Sequence, residues 1–474
     1  MIFYIMGFLL GHCLTPIIYF LPWYKYGDID TTLKGFHVAT YGVISFCIGN
    51  VILAPYFMRL FNIRLSNYSI TQLPNFPNNN YPMTQLLNHA KNRIHSNLPK
   101  LYLVIGIISY FLMFSIVGRL PTLNALVSVG QQLILIGIFL ACWKAWSKKN
   151  NKKLFVYLIL SLSFPFITII HQGFFGAGMS MTMMIYLFTL KFFRPRWKAV
   201  TAFLLLIYLG LTFYQSYMRD RKELRDTIWG GAPIIERVEE LGTTLSNAEW
   251  FNPFDVEQLK RVDDRMNQNF LVGKAVDYLG KTKDYAYGET LWESMIALVP
   301  RIIWRDKPVY AGSGDMVSKY TGLIFTPGTS VGVGQVMEFY INFGIPCVII
   351  GFLVLGIIIA IIDLMAGYHL VRGNWQKFAL WILPGLAFLN LGGSLVEVTS
   401  SAGAGLVVAY LASRLRSSHY PVLLAIIYLS FVGYIANRYI FPELRPYLEI
   451  LIPIALLALL LRKIIKSIGN RVTH

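Results

Sequence analysis

Three cations fall within seven positions in the stretch Pro300-Arg301-Ile302-Ile303-Trp304-Arg305-Asp306-Lys307-Pro308. They close a segment, 289–304, in which Leu291, Met295, Leu298 and Ile302 recur at helical spacing, with Trp292 and Trp304 near its ends. That pattern predicts an amphipathic helix at a membrane interface, its tryptophans at headgroup depth. A helix of a small folded domain would read the same way. At headgroup height Arg301, Arg305 and Lys307 suit an anionic lipid head, a diphosphate above all. Arginine presents paired donors to phosphate oxygens, and lysine adds a point charge. The plainer alternative is that these cations hold only bulk lipid headgroups. Further cations, Arg219, Arg221, Lys222 and Arg225, alternate with Asp220, Glu223 and Asp226. Mutual pairing at i,i+3 and i,i+4 would occupy them, unless one turns toward a phosphate.

Two acids stand near the ends of apolar runs. Glu338 precedes Phe339-Tyr340-Ile341-Asn342-Phe343-Gly344, and Glu397 lies in Ser394-Leu395-Val396-Glu397-Val398-Thr399-Ser400-Ser401. Ionisable groups at membrane depth are costly and face a cavity or a partner. Each acid is therefore read either as a general base with a raised pKa or as the structural partner of an arginine. His171, in His171-Gln172-Gly173, occupies a tight turn, where it either contacts a sugar or phosphate or simply holds the turn. No GxxxxGK[ST] occurs, and no G-x-G-x-x-G follows a strand, so nothing speaks for a nucleotide. Cys13, Cys47, Cys142 and Cys347 lie in or beside apolar runs without zinc or redox spacing. Neither a metal nor a cofactor is expected.

The elements that must position these residues are membrane helices. Of 474 residues, 55% are apolar and only 14% are charged, and the mean hydropathy is +0.53. A soluble surface wants roughly 25% charged residues. Apolar runs predict an all-α polytopic integral membrane protein of about twelve spans. They lie near 2–21, 36–57, 101–118, 123–142, 154–170, 173–190, 199–217, 336–364, 378–392, 395–412, 420–437 and 447–464. The formal charge is +18, yet residues 218–330 hold 15 basic and 17 acidic residues. The remaining basic residues crowd the short loops of one side, 22 against five on the other. That asymmetry predicts both termini in the cytoplasm and 218–330 outside. It also accounts for the basic balance without nucleic acid, for which no basic-aromatic module is present.

The chain thus divides into 1–217, with spans one to seven and a cytoplasmic loop at 59–100; 218–335, a large outward loop; and 336–474, with spans eight to twelve. Within the cytoplasmic loop the Asn/Pro-rich stretch 73–82 reads as a flexible connection. A long ordered loop on one face is usually functional. An enzyme working outside the cytoplasm needs a substrate that arrives activated, and a lipid-linked diphosphate sugar meets that need.

The order of motifs resembles that of the Wzy-type O-antigen and oligosaccharide repeat-unit polymerases. A large outward loop ends in P-R-x-x-W-x-x-K-P (Pro300, Arg301, Trp304, Lys307 and Pro308). A Gly/Ser/Thr-rich stretch follows, and then E-x-Y-x-N-F-G (Glu338, Tyr340, Asn342, Phe343 and Gly344) opens a long span. Residue-level resemblance covers about 300–355, and topology carries it elsewhere. Met337 stands where that family often has Gly. His171 stands near a turn where many members carry Arg, which leaves a second phosphate-binding cation to be sought among Arg219, Arg221 and Arg225.

The resemblance implies a GT-C-like membrane glycosyltransferase of the bacterial inner membrane, working at the periplasmic face. It would polymerise oligosaccharide repeat units carried on undecaprenyl diphosphate into O-antigen, capsular polysaccharide or exopolysaccharide. Arg301 would stabilise the departing diphosphate, with Arg305 and Lys307 assisting. Glu338, or failing it Glu397, would orient Arg301 or take the hydroxyl proton. Tyr340, Asn342 and His171 join the expected substrate-binding set. Inner-membrane lipids, a chain-length regulator and a flippase are the expected neighbours. Two rival readings remain: an O-antigen ligase, which shares topology and donor, and a lipid-linked oligosaccharide flippase. The flippase would need cations inside the spans, where this chain has almost none.

Overall fold

The computed structural model describes residues 1–60, 97–113, 121–190, 196–299, 304, 306–308, 313–325 and 331–414. Among them every regular element is a helix. α1 (Ile2–Phe8) and α2 (Leu14–Tyr19) are joined by a π-helical turn, Leu9–Cys13, and α3 (Ile29–Ile48) and α4 (Ala54–Leu60) by another, Gly49–Leu53. Next come α5 (Leu98–Met113), α6 (Pro121–Gly130), α7 (Leu133–Ser147), α8 (Asn151–Ser161), α9 (Phe164–Gln172), α10 (Phe175–Leu190) and α11 (Arg196–Arg219). The middle segment supplies α12 (Arg221–Trp229), α13 (Ile234–Ser246), α14 (Val256–Met266), α15 (Gln268–Thr282), α16 (Glu289–Ala297) and α17 (Ser313–Thr321). α18 (Gln335–Phe343), α19 (Ile345–Val371), α20 (Trp375–Ala387) and α21 (Leu395–Arg414) follow.

Seven stretches among the described residues are long and apolar enough to cross a membrane: Ile2–Tyr19, Ile29–Arg59, Asn124–Ser147, Asn151–Gln172, Val200–Arg219, Ile345–Val371 and Leu395–Arg414. Leu98–Tyr110 and Phe175–Leu187 are apolar but shorter. The architecture is that of an all-helical polytopic membrane protein. The spans expected near 420–437 and 447–464, and the stretch 73–82, lie outside the described residues.

Three expected elements are redrawn. The span at 336–364 is two helices, because Gly344 adopts φ 66°, ψ −149° and Pro346 opens the next helix. A positive φ suits glycine, and proline is tolerated in a first helical turn. Glu338 therefore sits on α18, outside the spanning helix α19. The amphipathic helix expected over 289–304 ends at Ala297. The span expected at 378–392 is α20, Trp375–Ala387, with Pro384 inside it.

Small residues let the helices close up. Asn50 Nδ2 donates to the Gly356 carbonyl at 3.1 Å, tying the second spanning stretch to α19. A Cβ at Gly356 would overlap the Phe46 carbonyl. Close backbone approach through glycine is how membrane helices gain dispersion contact. The middle segment is fastened to the bundle in the same way. A Cβ at Gly35 on α3 would overlap the Asn269 carbonyl, and one at Gly273 on α15 would overlap the Thr31 carbonyl. Asp28, the N-cap of α3, accepts from the Thr31 N–H at 3.0 Å and from Lys274 Nζ at 3.1 Å. The Thr31 hydroxyl, which donates to it at 2.7 Å, does most to hold its carboxyl down at about 2, with the Thr31 N–H and Lys274 adding to the effect. One buried core then runs from Tyr4, Phe8 and Phe46 through Val272 and Leu279 to Met337, Val348 and Phe352.

Candidate functional site

α18 is stitched to its neighbours at both ends. At its start the Gln335 N–H donates to the Leu391 carbonyl at 3.1 Å, and Gln335 Nε2 to the Asn390 carbonyl at 3.2 Å. The Tyr4 hydroxyl donates to Gln335 Oε1 at 2.6 Å. At its other end Asn342, wholly buried, donates through Nδ2 to Thr290 Oγ1 at 2.7 Å. Its Oδ1 accepts from the Gly288 N–H at 2.9 Å. Asn342 thus locks α18 to the first turn of α16.

Glu338 lies between these anchors and is 0% exposed. Its Oε2 accepts from the Leu395 N–H at 2.5 Å. That N–H is the first of α21, where unpaired backbone donors and the helix dipole favour a carboxylate. Oε1 is buried without a hydrogen-bond partner among the described residues. Burial pushes the Glu338 carboxyl up to about 8, against the opposing pull of the Leu395 N–H and Thr290. The carboxyl is enclosed, and it bonds to the backbone of α21 rather than to an arginine. Tyr340, also buried, has its phenol pushed up to about 12 by burial beside Tyr285.

Glu397 is a helix cap. Its Oε2 accepts from the Ser394 N–H at 3.3 Å, while Ser394 Oγ accepts from the Glu397 N–H at 3.2 Å. This reciprocal pair is a capping box. The Ser394-x-x-Glu397 spacing is the sequence signature of such a box. α16 also meets α21 through Thr399, whose hydroxyl donates to the Ser294 carbonyl at 2.7 Å. Lys307 folds back onto α16 and donates through Nζ to the Ala297 and Val299 carbonyls, each at 3.1 Å. It thereby satisfies carbonyls that a helix end leaves open. Arg301 and Arg305 lie outside the described residues.

His171 and Arg225 belong to a second locus, around the end of α9, while Arg219 bonds at the break between α11 and α12. Gly173 caps that helix at φ 74°. Its carbonyl accepts from the Tyr217 hydroxyl at 2.6 Å and from Arg225 Nε at 3.2 Å. Trp229 Nε1 donates to the Gln172 carbonyl at 3.2 Å and Arg237 Nη1 to the Ile170 carbonyl at 3.3 Å. The Arg225 guanidinium also stands over the Phe174 and Trp229 rings, 4.6 and 5.0 Å from their centroids. Arg237 and Trp229 carry no sequence motif and were not anticipated. His171 packs edge-on to Tyr110 at 5.6 Å.

The expected i,i+3 and i,i+4 pairing is replaced at Arg219. Its Nε and Nη2 meet the two carboxylate oxygens of Asp220 at 2.7 and 2.9 Å. Nη1 reaches Glu249 at 3.1 Å. Asp220 falls in the break between α11 and α12, so adjacent side chains can face one another. The Arg219 guanidinium holds the Asp220 carboxyl below the usual range. Arg221, half-buried beside Arg225, has no hydrogen bond or ion pair among the described residues.

Residues 80–372 match the model of DUF8712, a domain of unknown function. The chain belongs to that family. The matched region takes in the whole middle segment, α18 and α19, and it stops short of Glu397. No curated protein and no solved structure matches the chain.

Proposed function

We propose that this protein is a membrane glycosyltransferase that polymerises lipid-linked oligosaccharide repeat units at the outer face of the bacterial inner membrane. In this reading it has twelve spans, both termini are cytoplasmic, and 218–335 is the periplasmic segment. One observation supports it above the rest. Asn342 and Thr290 bind α18 to α16, the helix whose end delivers the chain into 300–308. Lys307, near the end of the first stretch that resembles the polymerase motifs, bonds to the end of the same helix that Asn342 of the second stretch holds.

The donor is a growing glycan on undecaprenyl diphosphate, and the acceptor is a single repeat unit on a second such lipid. The acceptor hydroxyl oxygen forms a bond to the donor's anomeric carbon as the carbon–oxygen bond to the diphosphate breaks. Preorganised cations lower the cost of the charge that develops on the leaving group. Arg301 and Arg305 take that role. Arg221 is the remaining cation best placed for a second phosphate, since Arg219 and Arg225 already have partners in the fold. The released diphosphate is itself a competent final acceptor for the hydroxyl proton. Glu338, Asn342 and Lys307 act as positioning residues, tying α16, α18 and α21 together.

The test is a gel of surface polysaccharide from a deletion strain and its complemented parent, with secreted polymer assayed alongside. Loss of the long ladder with one capped repeat unit retained is the expected result. Loss of every rung, with lipid-linked polymer accumulating in the membrane, would instead make the protein a ligase. Unchanged polymer in both fractions would overturn the proposal.

A further inference from the structure

α11 changes character along its length. Val200, Leu204 and Tyr208 form an exposed stripe at i, i+4 and i+8, which is the pattern of a lipid-facing helix. Higher up, Thr212, Gln215 and Ser216 bring polar groups to a stretch that is otherwise long and apolar enough to cross a membrane, Val200–Arg219. All three are buried. Thr212 bonds to the connection between α13 and α14, and Gln215 to the first turn of α14. The Phe251 N–H donates to Thr212 Oγ1 at 3.2 Å, and the Tyr208 hydroxyl donates to the Phe251 carbonyl at 3.3 Å. Gln215 Nε2 donates to the Gln258 carbonyl at 3.0 Å.

These contacts fix the depth of the connection. Thr212 lies seven residues before Arg219, which at the α-helical rise is about 10 Å down the axis. Residues 250–254 read Trp-Phe-Asn-Pro-Phe, with no charge, between Glu249 and Asp255. Trp250 and Phe254 are 65% and 68% exposed. The Trp250 ring stacks on Tyr208 at 6.2 Å and 11°, continuing the exposed stripe. Phe254 packs against Trp23, 4.9 Å between centroids, just beyond the first spanning stretch.

Irregular backbone is tolerated at membrane depth only where its polar groups are satisfied by protein. Here side chains do that work. Gln258 Oε1 accepts from the Asn252 N–H at 2.9 Å, and Gln258 Nε2 donates to the Trp250 carbonyl at 3.4 Å. Asn252 Oδ1 accepts from the Phe254 N–H at 3.0 Å, and Trp23 Nε1 donates to the Pro253 carbonyl at 3.1 Å. Proline at 253 has no N–H to satisfy.

We propose that residues 250–254 dip into the bilayer as an aromatic wedge. They shield the polar stripe of α11 from lipid and present Trp250 and Phe254 to the acyl chains of the leaflet nearest the middle segment. This inference does not depend on the proposed chemistry. It is tested on the full chain, with Cys13, Cys47, Cys142 and Cys347 replaced, one molecule per lipid nanodisc. A nitroxide is attached to Trp250→Cys, Phe254→Cys or Lys222→Cys. Power-saturation spectroscopy then compares collision with oxygen, which favours lipid, and with a water-soluble nickel chelate. The expected result is oxygen-dominated relaxation at 250 and 254 and nickel-dominated relaxation at 222, which is exposed on charged α12. Nickel-dominated relaxation at 254 would overturn the proposal and make the patch a docking face for a protein. If the cysteine variants fail to fold, hydroxyl-radical footprinting of the unaltered protein in nanodiscs decides. Protection of Trp250 and Phe254 supports insertion, and their oxidation refutes it.

Discussion

Replacing Asn342 by alanine should loosen the unit that holds α16 against α18. Asn342 is 0% exposed and makes two bonds across the helix pair, to Thr290 Oγ1 at 2.7 Å and from the Gly288 N–H at 2.9 Å. Alanine takes the acceptor from the part-buried Gly288 N–H, a loss of about 1–3 kcal/mol. The lost Thr290 bond adds about 1 kcal/mol. The expected destabilisation is therefore about 2–4 kcal/mol, a large share of the margin of an ordinary fold. Thermal unfolding followed by size-exclusion in detergent should show a fall of several degrees. Thr290→Val should cost about 1 kcal/mol, and the double variant should cost less than the two singles combined, because they share one bond. Asn342→Asp keeps an acceptor for Gly288 but adds a charge beside the buried Glu338, and should be no better than alanine. An Asn342→Ala protein that melts with the parent, or strict additivity with Thr290→Val, would refute the lock.

Further outcomes follow from the same contacts. Glu338 titrates near 8 in the folded protein against an ordinary 4.5, so the native state binds the extra proton between those values. Stability should fall as pH rises through that window, by a few kcal/mol at most, and melting curves of Glu338→Gln should lose that slope. Glu397→Ala removes half of a capping box and should cost about 1 kcal/mol, whereas Glu397→Gln should retain both stability and polymer; loss of polymer in a stable Gln variant would restore Glu397 to the chemistry. Gly273→Ala places a Cβ on the Thr31 carbonyl and should prevent accumulation of protein in the membrane, while Gly280→Ala on the same helix meets open space and should be tolerated. Lys307→Met should lower the melting temperature, because the Ala297 and Val299 carbonyls lose their shared donor.

The membrane helices were legible because apolar runs report burial in lipid directly. The break at Gly344 was written in Gly344-Ile345-Pro346, yet a continuous apolar run masked it, and hydropathy does not distinguish one long helix from two abutting ones. Glu397 shows the converse: its spacing from Ser394 states a cap, but an acid near an apolar run invites a catalytic reading. The cations were visible as residue types only. Whether Arg225 serves a phosphate or the Gly173 carbonyl depends on where α9 ends relative to α12, which is a tertiary fact with no local signature. The reciprocal glycines of α3 and α15 were likewise unreadable, since Gly35 and Gly273 gain meaning only when the two helices cross.

The most direct measurement reconstitutes the purified protein in nanodiscs with lipid-linked repeat units extracted from the deletion strain. A repeat-unit polymerase predicts a ladder of lengthening glycan, one undecaprenyl diphosphate released per new linkage, and loss of both in a folded Arg301→Ala protein. Lipid-linked units that stay single, or that move only onto a lipid A-core acceptor, would contradict it.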